Sequence, residues 1–276
     1  MILDGKSVSK HIKLELQEKI KTLERKLCLS VILIGQSKDS ITYVNMKRRM
    51  CESLGVKFLL QHFDETIEEH YVIKEIEKLN QDKDVDGILI QLPLPPHLDK
   101  DNILDKISYE KDVDGFHTIN AGKIFQNRDI NIVPCTPQGC IDLIDHYGID
   151  VEGLNITFIG TSNLVGLPLS MLLLQRGATI SLCNVNTKDI KLHTIDADMI
   201  ITCCGVANMV KNDWIKEGVI IIDIGINVIE DQKIVGDVDF EDVYDKCSMI
   251  TPVPGGVGPM TVISLIKNLV KLAEHK

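Results

Sequence analysis

Apolar positions along this chain fall into two alternating rhythms. Short, nearly continuous apolar runs recur at residues 29–34, 56–60, 87–91, 155–160, 179–183, 198–203 and 219–223. Between them lie longer stretches with apolar residues three and four apart, as at 8–25, 66–80 and 165–176. The first rhythm predicts strands buried on both faces, and the second predicts amphipathic helices. Their alternation predicts an α/β fold with parallel sheets covered by helices.

The pattern resets between about Phe116 and Pro137, where periodicity is weak and Pro134-Cys-Thr-Pro137 reads as a breaker. This predicts a crossing from an N-terminal to a C-terminal domain. A second proline- and glycine-dense stretch, Thr251-Pro-Val-Pro-Gly-Gly-Val-Gly-Pro259, precedes a last helix that returns the chain to the first domain.

With 276 residues, the chain has room for two modest domains, each with its own core. Its formal charge of -10 argues against a nucleic-acid partner, whose phosphates demand clustered Lys and Arg. A small anionic ligand needs only a few local cations and stays open. The segment Met1-Ile-Leu-Asp-Gly-Lys-Ser7 has no apolar stretch of the signal-peptide kind. No apolar run approaches the roughly 20 residues of a membrane helix, so no membrane partner is expected. The eight cysteines contain no Cys-x-x-Cys pair and no His at zinc-finger spacing. They read as reduced core thiols with no metal, and as a sign of the reducing cytoplasm.

In the C-terminal half, the run Asn155-Ile-Thr-Phe-Ile-Gly160 leads through Thr-Ser-Asn-Leu-Val-Gly166-Leu-Pro into an apolar helix. Strand, glycine-bearing loop and helix aim backbone N–H groups at a phosphate. The spacing is not Gly-x-Gly-x-x-Gly, so a plain tight turn competes with a dinucleotide loop. The second strand of this half ends near Cys183-Asn184. Neither the acid of a NAD site nor the Arg of a NADP site follows it, which leaves the 2′ position undecided.

In the N-terminal half, Asp39 or Ser40 is the expected N-cap of a helix bearing Tyr43 and Lys47 on one face. Tyr-x-x-x-Lys alone is most often a half-buried Tyr beside a solvated Lys. Chemistry would need convergent groups, and two are available. Gln91 stands where a parallel strand ends, the edge at which ligands gather. Asp112 and Asp114 lie in the loop Lys111-Asp-Val-Asp-Gly115, although turn chemistry would explain either alone.

Taken in order, several segments resemble the bifunctional methylenetetrahydrofolate dehydrogenase/cyclohydrolase family. They include Leu3-Asp-Gly-Lys6, Ser40-x-x-Tyr43-Val-x-x-Lys47, Asp86-Gly-Ile-Leu-Ile-Gln91-Leu-Pro-Leu-Pro and Lys111-Asp-Val-Asp-Gly-Phe116. Further along come Pro134-Cys-Thr-Pro137, Val165-Gly166-x-Pro168, Gly225-Ile-Asn227, Gly236-Asp-Val-Asp239 and Pro252-Val-Pro-Gly-Gly-Val-Gly-Pro-Met-Thr261. The resemblance implies two domains across a cleft. Residues 1–118, completed by a helix over 259–276, would form an α/β folate-binding catalytic domain. Residues 135–255 would form a Rossmann-type, doubly wound NAD(P)-binding domain that also makes a homodimer contact.

The resemblance also implies roles. Lys47 is the expected catalytic lysine, Tyr43 the residue packing on folate, Gln91 the partner of Lys47, and Asp114 the anchor of the pterin. Ile90, Leu92, Pro254, Gly255 and Gly258 complete the expected substrate contacts. Gly160, Thr161, Ser162, Val165, Gly166, Val185, Cys204, Gly205 and Ile226 are the expected cofactor contacts. The implied reaction oxidises 5,10-methylenetetrahydrofolate to the methenyl compound, which water opens to 10-formyltetrahydrofolate. NADP is the implied cofactor, with NAD possible and weak discrimination expected.

Three departures from the family pattern stand out. Tyr109 replaces a Pro, the loop reads Gly160-Thr161-Ser162, and Asn184-Val185 occupies positions where a His and then Ser or Arg are usual. Two rivals remain for comparison. A short-chain reductase would place its Tyr-x-x-x-Lys after the glycine loop, whereas Tyr43 precedes it here. A binding protein without catalysis would have no need of Lys47, Gln91 and Asp114 together.

Overall fold

The computed structural model describes residues 1–274. It forms two compact units, one of Ile12–Cys135 with the chain from Val262 onward, the other of Met1–His11 with Thr136–Thr261. The helix expected over 259–276 is present as Val257–Glu274, and residues 275 and 276 lie outside the described residues.

The first half of the chain runs α1 (Gly5–Lys21), β1 (Cys28–Ile34), α2 (Lys38–Ser53), β2 (Lys57–Phe63), α3 (Glu69–Gln81), β3 (Gly87–Ile90), α4 (Lys100–Leu104) and α5 (Thr118–Gln126). Its strands form a parallel sheet in the order β2-β1-β3, with Leu29 opposite both Phe58 and Gly87. Every residue of β1 is buried, as the unbroken apolar run requires of a central strand. Buried Asp86 sets the start of β3, accepting from the Cys28 N–H at 2.9 Å and from the Arg25 guanidinium. A methyl group at Gly87 would stand 2.8 Å from Leu269 Cδ1 and 3.1 Å from Val113 Cβ, so glycine lets both pack directly on the strand. A parallel bridge from Ile88 to Asp112 extends the sheet past β3.

The remainder runs α6 (Cys135–His146), β4 (Asn155–Ile159), α7 (Gly166–Leu174), β5 (Thr179–Cys183), α8 (Lys191–Thr194), β6 (Met199–Thr202), β7 (Ile220–Asp223), β8 (Asn227–Val228), β9 (Ile234–Val235), α9 (Phe240–Val243), β10 (Met249–Ile250) and α10 (Val257–Glu274). Five parallel strands lie in the order β10-β7-β6-β4-β5, a doubly wound Rossmann-type sheet. The short β8 and β9 pair as an antiparallel hairpin. The chain's first residues add to this unit. Leu3 N donates to Ile250 O at 2.8 Å and Lys6 N donates to Gly255 O at 3.1 Å. Residues 1–11 therefore stand apart from the 1–118 grouping, because backbone pairing with β10 leaves no periodic trace in so short a segment.

Other differences from the sequence reading are local. Ser37, rather than Asp39 or Ser40, caps α2, its hydroxyl accepting from Ser40 N at 3.5 Å. Asp39 instead occupies the first turn, where a carboxylate favours the helix dipole. Pro134-Cys-Thr-Pro137 starts a helix instead of breaking one. Pro137 sits in the first turn of α6, where its missing N–H would have had no partner. The weakly periodic stretch before it contains α5, closed by Asn127 in the left-handed conformation at φ 52°. All eight cysteines are free thiols and five are buried. Among the described residues, no helix is long and apolar enough to cross a membrane.

Candidate active site

In the first sheet the chain steps from β1 to β2 on one side and β3 on the other, so a topological switch lies at the carboxyl edge between β1 and β3. The helix after β1 and the residue after β3 deliver the candidate groups to that edge. Helix α2 buries Ser40, Val44 and Cys51, which leaves Tyr43 and Lys47 one turn apart on a more open face. Tyr43 is 38% exposed, and burial, reinforced by Asp39, raises its hydroxyl above the ordinary range.

Lys47 Nζ donates to Gln91 Oε1 at 3.0 Å. Gln91 is only 8% exposed, and its Nε2 donates to Leu92 O at 2.7 Å. That second bond settles which end of the amide faces the ammonium. Buried Ile90 and half-buried Leu92 flank Gln91. The Asp114 carboxyl is raised above the usual range by burial, while the charge of Lys47 and a hydrogen bond from the Cys135 thiol oppose the shift. Cys135 Sγ lies 3.3 Å from Asp114 Oδ1. Lys47, Gln91, Asp114 and Cys135 thus converge within one unit.

Cys135 has no place among the residues expected from sequence. A single thiol in an apolar context carries the same signature as a core residue, so only its occurrence in the Pro134-Cys-Thr-Pro137 motif pointed to it. The two acids of the Lys111-Asp-Val-Asp-Gly115 loop separate clearly. Asp112 is buried and accepts from Gly115 N at 3.0 Å, His117 N at 2.8 Å and Asn120 Nδ2 at 2.9 Å. It is a turn-forming carboxylate. Asp114 receives only the weak thiol donor among the described residues, which leaves acceptor capacity for a ligand.

Pro254, Gly255 and Gly258 belong to the other unit. Gly255 adopts φ 119° and its carbonyl holds Lys6 N, while Gly258 lies in the first turn of α10 with open space about its Cα.

That unit has its own switch point, between β4 and β6. Gly160 ends β4 there at φ 118°, and a methyl group on it would stand 2.6 Å from Cys203 O. Gly166 opens α7 directly against the Gly160 carbonyl, again leaving no room for a side chain. Ser162 shapes the loop, its hydroxyl accepting from Val165 N at 3.2 Å and its carbonyl from Leu167 N at 3.1 Å. This is a backbone-lined cradle at a helix N-terminus, the kind of arrangement that aims N–H groups at a phosphate.

Across the crevice, Asp237 Oδ2 accepts from Cys204 N at 2.8 Å and Gly205 N at 3.1 Å. Its Oδ1 accepts from Val206 N at 3.0 Å and Asn227 Nδ2 at 2.9 Å. Asp223 in turn accepts from Gly225 N, Asp237 N and Val238 N at 2.9–3.1 Å, and burial pushes its carboxyl up to about 6. Both acids escaped the sequence reading, although Asp237 lies inside a quoted motif, because loop-anchoring acids look like ordinary turn residues. Ile226 is exposed beside them. After β5, Asn184 Oδ1 accepts from Asn186 N at 2.9 Å, and Val185 is 96% exposed. Among the described residues, no cluster of His, Cys, Asp and Glu could hold a metal ion.

Two family models match the chain. The catalytic domain of tetrahydrofolate dehydrogenase/cyclohydrolase matches residues 3–114, and its NAD(P)-binding domain matches residues 134–276. The bifunctional protein FolD of Campylobacter jejuni is 49% identical over 278 residues, covering 100% of this chain and 99% of that protein. The Aquifex aeolicus protein of the same name is 47% identical, covering 100% and 96%. A crystal structure of the C. jejuni bifunctional enzyme superposes with a TM-score of 0.98 at 49% identity, covering 100% and 99%. The Trypanosoma brucei enzyme, solved with NADP and an inhibitor, gives 0.96 at 34% identity, covering 100% and 97%. With matches over both halves and the full length, the chain belongs to the tetrahydrofolate dehydrogenase/cyclohydrolase family.

Proposed function

We propose that this chain oxidises 5,10-methylenetetrahydrofolate with NADP and then hydrolyses the methenyl product to 10-formyltetrahydrofolate. The observation that carries this reading is the Lys47–Gln91 hydrogen bond with Asp114 inside the field of the same ammonium. Asp114 accepts from the amino and ring N–H groups of the pterin, two charge-assisted bonds that fix its orientation. Tyr43 packs along the folate, with Ile90 and Leu92 as apolar neighbours. This holding is the main contribution to the first step, since a transfer between bound reactants depends on orientation.

When bound, NADP supplies the hydride acceptor. The residues to hold it are Gly160, Thr161, Ser162, Val165 and Gly166 at the diphosphate, Val185 toward the 2′ side, and Cys204, Gly205 and Ile226 at the other end. In the second step water adds to the methenyl carbon, the new hydroxyl loses its proton, and the bond from that carbon to the ring nitrogen breaks as the nitrogen gains one. Lys47 is the group that moves these protons, held at its post by Gln91 Oε1.

The exposed apolar side chains of Leu182 on edge strand β5 and of Val228 and Ile234 on the β8–β9 hairpin support a homodimer through this unit. Eight free thiols support a cytoplasmic location. Two assays test the function. Reduced cofactor should accumulate with methylenetetrahydrofolate and NADP, with NAD run in parallel, and methenyltetrahydrofolate should decay faster than in buffer. A pure, folded protein that does neither would overturn the reading.

A further inference from the structure

Asn268, on α10, is completely buried. Its Nδ2 donates to two backbone carbonyls from different segments, Val113 O at 3.0 Å and Val133 O at 2.8 Å. The same nitrogen lies 3.7 Å from Cys135 Sγ. Val113 is the residue before Asp114, and Val133 lies two residues before Cys135. One amide group therefore clamps together the segments whose side chains make the thiol–carboxylate contact, Cys135 Sγ to Asp114 Oδ1 at 3.3 Å. All five residues lie in one unit.

The clamp is a poor choice for stability alone. Among the described residues, Asn268 Oδ1 is buried without a partner, as is Ser264 Oγ one turn earlier on the same helix. An orphaned buried acceptor is destabilising, and an apolar side chain of similar shape would fill the space without it. What an apolar residue could not supply is a pair of N–H donors that fixes two loops in register.

We propose that Asn268 is a positioning residue for the reaction: its amide fixes the segments bearing Asp114 and Cys135, and so sets the carboxylate that faces Lys47. This rests on the functional reading above, in which Asp114 anchors the pterin. Asn268 reaches no substrate itself. It acts through the Cys135 thiol, whose donated hydrogen bond favours the ionised form of Asp114 and limits the rotation of its carboxylate.

The test compares Asn268→Leu, Cys135→Ala and the double variant with the wild type. Asn268→Leu should lower kcat/KM for methylenetetrahydrofolate at least tenfold, mainly through KM, and leave the KM for NADP within twofold. The acid limb of its pH profile should move to higher pH, because Asp114 has lost its donor. Cys135→Ala should move the limb in the same direction, and the double variant should move it no further. Direct NMR titration of the Asp114 carboxyl reads the same shift without turnover. An inactive wild type whose variants still show this titration shift would thus sink the functional reading and leave the clamp standing. A folded Asn268→Leu with an unmoved acid limb and titration, or strictly additive effects in the double variant, would overturn the proposal. If the Leu variant does not fold, Asn268→Ser carries the same comparison. Loss of the fold in both would assign Asn268 to the scaffold and equally overturn it.

Discussion

In the proposed reaction Lys47 and Asp114 do different work, and substitution should separate them. Lys47→Met keeps the length of the side chain but removes the proposed proton carrier, so methenyltetrahydrofolate hydrolysis should fall to the buffer rate while circular dichroism stays native. Turnover near the wild-type value would exclude Lys47 as that group. Asp114→Asn replaces one acceptor oxygen with a donor, and both activities should drop at least a hundredfold, about 2.7 kcal/mol of transition-state binding. Asp112→Asn should act on stability instead, because Asp112 is spent on Gly115, His117 and Asn120. Equal kinetic effects from the two would contradict this division. The Asp114 carboxyl is raised in the folded protein, chiefly by burial, so the folded state takes its proton at a higher pH than the unfolded chain does. The stability linked to that proton is lost as pH rises through the folded value. Asp114→Asn should therefore unfold at a higher temperature than the wild type at pH 7.5, a gain in stability at the cost of function. The placement of Tyr43 and Lys47 on one helix face and of Gln91 at a strand end was legible in the sequence, but it took the family resemblance to single them out as a site. Cys135 and Asn268 were not legible, since a buried thiol and a buried amide differ from core residues only by what they touch.

Elements fix the cofactor crevice more than individual side chains do. Gly160→Ala would force a methyl group to 2.6 Å from Cys203 O at a backbone φ of 118°. The strained backbone alone costs about 1–3 kcal/mol. The variant should melt earlier and lose NADP binding by fluorescence titration. Asp237→Asn is gentler, since it leaves one oxygen to serve the N–H groups of Cys204, Gly205 and Val206. The dehydrogenase KM for NADP should rise roughly tenfold, about 1.4 kcal/mol. Hydrolysis of methenyltetrahydrofolate, which consumes no cofactor, should stay within twofold. A parallel fall in both activities would mean that Asp237 supports the whole fold. The seven short apolar runs announced seven strands. Of these, β1, β3, β4, β6 and β7 are almost wholly buried, as an unbroken run implies. The edge strands β2 and β5 are only partly buried and depart from that expectation. The two-residue β8, β9 and β10 were not announced, being held by backbone pairing rather than by a pattern of side chains. Helix α6 escaped notice because proline stops a helix everywhere except in its first turn, and sequence alone does not say which turn Pro137 occupies.

On the scale of the whole molecule, a net charge of -10 opposes every anionic ligand, and the 2′-phosphate of NADP is the most sensitive reporter of that field. This phosphate is usually held by Arg, Lys or several hydroxyls. The turn after β5 offers the apolar Val185, exposed to solvent, and an Asn184 whose side chain is engaged with Asn186 N. Lys188 is exposed nearby in sequence, and no carboxylate stands at Asn184 to reject the phosphate. With neither an attracting guanidinium nor a repelling acid, NADP should be preferred over NAD by less than roughly a hundredfold in kcat/KM. Installing Arg by Val185→Arg should raise that ratio. The salt dependence then separates local from global electrostatics. Raising ionic strength from about 0.01 M to 0.15 M shortens the screening length from about 30 Å to about 8 Å. The distant carboxylates that repel the phosphate are screened by this change more than any group touching it. The NADP-to-NAD ratio of the wild type should therefore rise with salt, whereas that of Val185→Arg should rise less or fall. A wild-type ratio that drops steeply with salt, or that exceeds a thousandfold, would show that Lys188 or another local cation grips the phosphate directly.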